Sequence, residues 1–195
     1  MWLVKAWHYR SAALIGAAGL LAAMAAPSAS AGRGARSWAA SPPTSNAGTI
    51  DPLASRLLTA HNRERARLRL PLLRWDSALA ASAAAYGPTL SALGGLRHSP
   101  RAARPGQGEN LWMGTRSAFS LEQMVGGWAS EKRQFRAGVF PNVSATGNWA
   151  DVGHYSAMIW PTTTAVGCAA YRDARWDFLI CRYAPAGNVD GHRVG

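Results

Sequence analysis

Apolar positions recur along this chain in three rhythms, and each predicts a different element. The first rhythm is an unbroken run. After Ser11, the segment to Ala26 holds only Ala, Leu, Ile, Gly and Met; Lys5 and Arg10 precede it and Ala29-Ser30-Ala31 follows. A charged start, an apolar middle and a small-residue exit are the pattern of a secretory signal peptide cleaved near Ala31. The run is shorter than the roughly 20 residues that a bilayer span needs, an uncleaved anchor being the alternative. Gly32 to Ile50 has no rhythm, is rich in Gly, Ser, Pro and Ala, and reads as a flexible leader. The expected organisation is residues 1–31 as signal peptide, 32–50 as leader and 51–195 as a single domain.

The second rhythm is helical. Asp51-Pro52 supplies an N-cap and a proline at the first helical position, predicting a helix to about Leu68 with Leu53, Leu57 and Leu68 inward, ended by Pro71. Asp76 caps a second helix through Tyr86, with Leu79, Ala83 and Tyr86 on one face and Gly87 just past its end. Between the two, PLLRW is expected to cross the surface and turn Trp75 inward. Ser120-Leu-Glu-Gln123 is a capping box. The helix it opens places Met124, Trp128, Glu131 and Phe135 at spacings of one face, so Glu131 is a carboxylate in an apolar stripe and needs a partner.

The third rhythm belongs to strands at the C-terminal end. VGCAAYRD and WDFLICRY flank a two-residue turn at Ala174-Arg175, and in that register Cys168 faces Cys181. In an exported protein these two cysteines are expected to form a disulfide, two free buried thiols being the alternative. Both strands are apolar on both sides, so their sheet should be covered on both faces. Helices early and midway with strands interspersed and at the end predict an α/β (α+β) fold, a three-layer α-β-α sandwich around a mainly antiparallel sheet.

Composition narrows the classes. The formal charge is +11, and loss of Lys5 and Arg10 with the signal peptide leaves 19 basic against 10 acidic side chains. A basic surface attracts anionic envelopes, lipids or sugars, or is simply solvated. No helix-turn-helix, RNP or zinc-finger signature accompanies it, which argues against nucleic acid. No segment after the leader is apolar enough to cross a bilayer. The expected product is a monomer, secreted or periplasmic.

The candidate chemistry lies in histidines and carboxylates. His192 sits in a Gly-rich tail and reads as solvated, while His61, beside Asn62 in the first helix, suits a structural role as well as a functional one. His98 follows Gly94-Gly95 at an apparent strand edge. His154, in GHYSAMIW, falls in the first turn after Asp151, a plausible N-cap; the positive end of a helix keeps an imidazole neutral and available. Glu109 opens a predicted strand on the face of Leu111 and Met113, and joins Glu131 as the second inward carboxylate. Two imidazoles and two carboxylates can satisfy one another or surround a divalent cation. Spacing alone leaves open whether the four converge.

Six segments together carry a family resemblance: AHNRERARLRLPLLRWDSALAASAAAYG, GENLW, WASE, GHYSAMIW, VGCAAY and CRYAPAGN, spanning about Leu53 to Asn188. In this order the chain resembles the CAP superfamily, the cysteine-rich secretory, antigen 5 and pathogenesis-related-1 proteins, or SCP domain. The resemblance implies an α-β-α sandwich with a cleft of two histidines and two glutamates, falling here on His98, Glu109, Glu131 and His154. It implies that His98 and His154 hold a divalent cation, zinc first, weakly, with Glu109 and Glu131 supporting them. Ala157 stands where the family often has glutamine, the glycine often found before PPLxWD is missing, and there are no additional disulfides or cysteine-rich tail. These departures mark a minimal, bacterial-type member.

Two functions follow from that resemblance. One is a non-enzymatic binding module whose cleft takes a cation and whose apolar surface, with Trp112, Trp128, Trp149, Trp160 and Trp176 as candidates, takes a lipid or sterol-like ligand; for those tryptophans a core position is the stronger expectation. The other is a metal-dependent hydrolase with the same four residues, or a protease using Ser156. The absence of HExxH, GxSxG and a nucleophilic cysteine favours the module.

Overall fold

The computed structural model describes residues 51–195, so the expected signal peptide and leader lie outside the described residues. The elements in chain order are α1 (Pro52–Arg67), β1 (Arg74–Trp75), α2 (Ser77–Leu93), β2 (Gly108–Thr115), α3 (Leu121–Ala129), β3 (Gly138–Val139), α4 (Gly153–Met158), β4 (Ala165–Arg172), β5 (Trp176–Ala184) and β6 (Arg193–Val194). Short 3-10 turns cover Arg101–Ala103, Ser130–Arg133 and Trp149–Asp151.

The helix starts obey their local signals. Asp51 accepts the Leu53 amide, Asp76 accepts those of Ala78 and Leu79, and Ser120 and Gln123 exchange both bonds of the capping box. Two helix ends depart from expectation. α2 does not stop at Gly87 but continues through Pro88 to Leu93, where Gly94 adopts φ 60°. Gly87 lies inside the helix because the Tyr171 side chain packs against it, and a Cβ there would sit 2.5 Å from that ring. Leu68, expected inward, is a cap residue 42% exposed, because α1 unwinds one residue before it. α3 is likewise shorter than its stripe: Glu131 lies in the 3-10 turn that follows and Phe135 beyond that turn.

The central sheet runs β1-β4-β5-β2, antiparallel except for the parallel β1–β4 edge. PLLRW thus supplies an edge strand, with Leu73 buried and Trp75 half-buried against the core. The β4–β5 hairpin has the expected register, Cys168 opposite Cys181, and the two form a disulfide across the ladder. Both faces are covered. Cys168, Leu179, Cys181 and Tyr183 pack with residues of α1, α3 and α4; Leu111, Phe178 and Ile180 pack with Ala83 and Leu90 of α2. This is the expected three-layer sandwich. A second, two-stranded sheet pairs β3 with β6 and buries Val194. No helix among the described residues is long and apolar enough to cross a membrane.

Candidate functional site

β2 is an edge strand, and its first residues look out on a cleft of about 650 Å³. His98, Glu109 and His154 all line it; Glu131 does not, and stands behind His154. Each imidazole is bound to a carboxylate through Nδ1: His98 to Glu109 at 2.6 Å and His154 to Glu131 at 2.6 Å. Among the described residues neither Nε2 has a hydrogen-bond partner. The four expected residues therefore form two pairs that meet at one cleft through their imidazoles.

The first pair comes from opposite sides of an 11-residue separation. His98 lies in irregular chain between α2 and the 3-10 turn at Arg101, not at a strand edge, because Gly94-Gly95 end the helix without opening a strand. Its side chain is 57% exposed, while that of Glu109 is fully buried. Such a carboxylate needs several donors. It accepts from the Ser99 amide at 3.0 Å, from Ser99 Oγ at 3.1 Å and from His98, and Arg182 Nη1 stands at 3.0 Å. Burial pushes the Glu109 carboxyl up, but the His98 hydrogen bond and the Arg182 charge outweigh it and hold the group below its ordinary value. Glu109 and Arg182 are direct cross-strand neighbours.

The second pair is built on a helix end. Asp151 is not the cap of α4. It belongs to the preceding 3-10 turn, where its carboxylate takes the hydroxyl of Thr146 at 2.6 Å. The cap position is Val152, which offers no side-chain oxygen, and Glu131 does the work from another segment. Glu131 Oε2 accepts the amides of His154 at 3.0 Å and Tyr155 at 2.9 Å, while Oε1 takes the His154 ring. The partner that an apolar stripe required of Glu131 is thus the N-terminus of α4. The His154 ring stacks on Trp128 at 6.0 Å and 13°. At the other end of α4, buried Arg65 donates to the carbonyls of Met158, Trp160 and Thr163. A carboxylate at the amino end and a guanidinium at the carboxyl end both oppose the helix dipole, which fixes His154 in place.

His61 has a structural role. It is fully buried, with Nδ1 donating to the Leu57 carbonyl at 2.7 Å and Nε2 at 2.8 Å from Tyr183 Oη. Asn110 spends one amide group on Tyr183 Oη and the His154 carbonyl, which links the buried ring to the cleft. Burial lowers the His61 pKa to about 4, so the ring is neutral. His192 is exposed, as expected.

Ser156 cannot serve as a nucleophile: it is fully buried and its hydroxyl is committed to Gly153 O and Asn188 Oδ1. Nor do the five tryptophans form a surface. Trp128 and Trp160 are core, Trp112 and Trp176 are half-buried elsewhere, and Trp149 alone of the five lines the cleft. Among the described residues, three metal-type donors lie within 4.8 Å of one another only at His61, Cys168 and Cys181. The sulfurs there are bonded to each other and offer no thiolate, so this is no metal site. His98 and His154 could hold a cation only as two imidazole ligands completed by solvent.

The sequence reading had pointed to neither Arg182, Asn110 nor Phe140 in the cleft lining. Arg182 did carry a signal. It is a charge in a strand apolar on both faces, the same anomaly that singled out Glu131.

Comparison with known proteins identifies the family. Residues 58–183 match the family model of the CAP, or cysteine-rich secretory protein, family. A pathogenesis-related protein of PR-1 type from Sambucus nigra is 30% identical over 136 residues, 69% of this chain and 77% of the relative. Secreted protein RBT4 of Candida albicans is 34% identical over 142 residues, 71% of this chain but 36% of the longer relative. Among solved structures, NaASP2 with Zn2+ superposes with a TM-score of 0.64 at 22% identity, over 74% of this chain and 85% of that one, a likeness of fold. The chain belongs to the CAP family.

Proposed function

We propose that this chain is a secreted or periplasmic, non-enzymatic binding module whose cleft takes a divalent cation, zinc first, through His98 and His154. The observation that carries the reading is the state of the two carboxylates. Glu109 is ion-paired with Arg182 and meets three donors of His98 and Ser99; Glu131 has both oxygens engaged by α4 and the His154 ring. Neither is free to act as a general base, which needs an open lone pair beside the substrate. Both instead act as orienting groups. They bind Nδ1 and direct each ring's remaining nitrogen as a ligand atom. A bound cation would supply a positive centre for an oxygen-bearing ligand. Two imidazoles without a third protein donor hold it loosely. NaASP2, described with Zn2+, supports the choice of metal.

The lipid or sterol-like ligand implied by the family has a candidate place away from this cleft, a groove of about 270 Å³ between α1 and α3 whose lining combines Ala60, Val125, Gly126 and Ala129 with Arg56, Arg63, Glu64 and Glu122. Export is supported by the secreted relative and by the signal-peptide pattern of residues 1–31.

A zinc titration by calorimetry tests the cation reading. The wild type should bind one equivalent that a chelator removes, and His98→Ala/His154→Ala should lose it. Unchanged binding in the double variant would overturn the ligand assignment. A hydrolase is the competing reading: cleavage of casein, peptidoglycan or ester substrates at equimolar zinc, abolished in Glu131→Gln, would replace the module with an enzyme.

A further inference from the structure

The cleft has a mixed lining, in which apolar Phe140, Pro141, Trp149 and Ala157 share the surface with His98, Arg101, Arg104, Gln107, Asn188 and Asp190. We propose that it binds an acidic saccharide, a pyranose lying on Trp149 with its carboxylate held by Arg104 and Arg101. This rests on the reading of the cleft as a binding site and names the ligand class.

Trp149 is 45% exposed although it is not loose. Its ring meets Phe140 edge-on at 5.2 Å and lies over Gly153, where a Cβ would come within 3.1 Å of it. Its 3-10 turn is pinned by Asn148, which accepts the Ala150 amide, and by Asp151, which accepts from Thr146. A rigid aromatic face presented to water beside hydrogen-bonding groups fits a ring with one C–H face and a rim of hydroxyls. A lipid tail fits poorly, since it would strip water from His98, Arg101, Gln107 and Asp190 with nothing in return.

The charge comes from two guanidinia of different kinds. Arg104 is 9% exposed and fixed, with Nε donating to Ser99 O and Nη1 to Gln107 O. Its Nη2 makes no hydrogen bond among the described residues. Arg101 is exposed and makes neither hydrogen bond nor ion pair among them. Glu109, 3.9 Å from Arg104, is answered by Arg182. Asp190, exposed and also lining the cleft, is a hydroxyl acceptor. One fixed and one exposed guanidinium lining the same cleft as an aromatic platform suit a carboxylate on a sugar.

Calorimetry with trigalacturonate, and with uncharged galactotriose beside it, tests this on the purified full chain in chelator. Trigalacturonate should bind at least about tenfold more tightly than galactotriose. Trp149→Ala should weaken both by about tenfold, Trp149→Phe should retain most of the affinity, and Arg101→Gln should cut the preference for the acidic sugar several-fold. No binding of trigalacturonate at millimolar concentration, equal binding of both sugars, or unchanged affinity in a folded Trp149→Ala protein would overturn the proposal. The zinc titration repeated on the same preparations after the chelator is dialysed away separates the readings. Zinc binding with no sugar binding sinks the saccharide alone; sugar binding with no zinc sinks the cation alone.

Discussion

The two imidazole–carboxylate pairs share a 2.6 Å contact and are assembled by opposite means. Glu109 is a fully buried carboxylate facing a nearly buried guanidinium, an ion pair inside a sheet, beside an imidazole left 57% exposed. Among the described residues, Glu131 meets no lysine or arginine. Backbone amides at the start of α4 hold it, and its histidine is the more sheltered, 34% exposed and stacked on Trp128. One pair is anchored by a charge and the other by a helix end. Similar pairing can therefore arise from unrelated supports, and the supports decide how each pair fails.

The largest difference should come from Arg182. Arg182→Leu leaves Glu109 buried without its counter-charge and should cost about 3–5 kcal/mol in denaturant unfolding. Glu109→Gln added to it should recover most of the loss. If the single variant is as stable as wild type, the first pair does not depend on charge. Arg182 Nε is a buried donor without a partner among the described residues, and the guanidinium sits 5.7 Å over the Tyr86 ring instead.

Acid should act next, through the ring behind His154. His61 titrates near 6.5 when unfolded and at about 4 when folded. The unfolded chain binds the proton first, so stability is full above about pH 6.5 and falls as pH drops toward 4. The loss is about 3 kcal/mol. Urea unfolding at several pH values checks it, with the His61→Phe variant expected to flatten that part of the curve. An unchanged slope in the variant would assign the acid sensitivity to other groups. Both pairs are thus compared fairly only above pH 6.5.

The smallest effect belongs to the second pair. Glu131→Gln keeps one carbonyl oxygen for the α4 amides and loses the charge, at a cost of about 1–2 kcal/mol. Hydrogen exchange at Tyr155 should quicken before the rest of the fold opens. A loss as large as that of Arg182→Leu would erase the distinction between an ionic and a helix-end anchor.

Much of this was legible from residues close in sequence. Asp51, Asp76 and the Ser120 capping box started their helices, and the Ala174-Arg175 turn set Cys168 against Cys181. Apolarity on both sides of β4 and β5 implied a covered sheet, and the sandwich followed. These signals work locally because a cap or a tight turn completes its hydrogen bonds within a few residues. Glu131 was recognisable as needing a partner, and family resemblance named the four cleft residues. What they lean on was decided elsewhere. Asp151 had the right composition and spacing to cap α4, yet Glu131, 23 residues before His154, took that position. Gly87 looked like a helix stop until Tyr171 from a distant strand packed against it. Arg182 faces Glu109 only because β2 returns to pair with β5, and Trp149 reaches water only because its turn rides over Gly153. Local order in the sequence determined the elements and one disulfide. The tertiary structure alone decided which charges, rings and helix ends share the cleft, because such contacts depend on how distant segments pack rather than on any spacing along the chain.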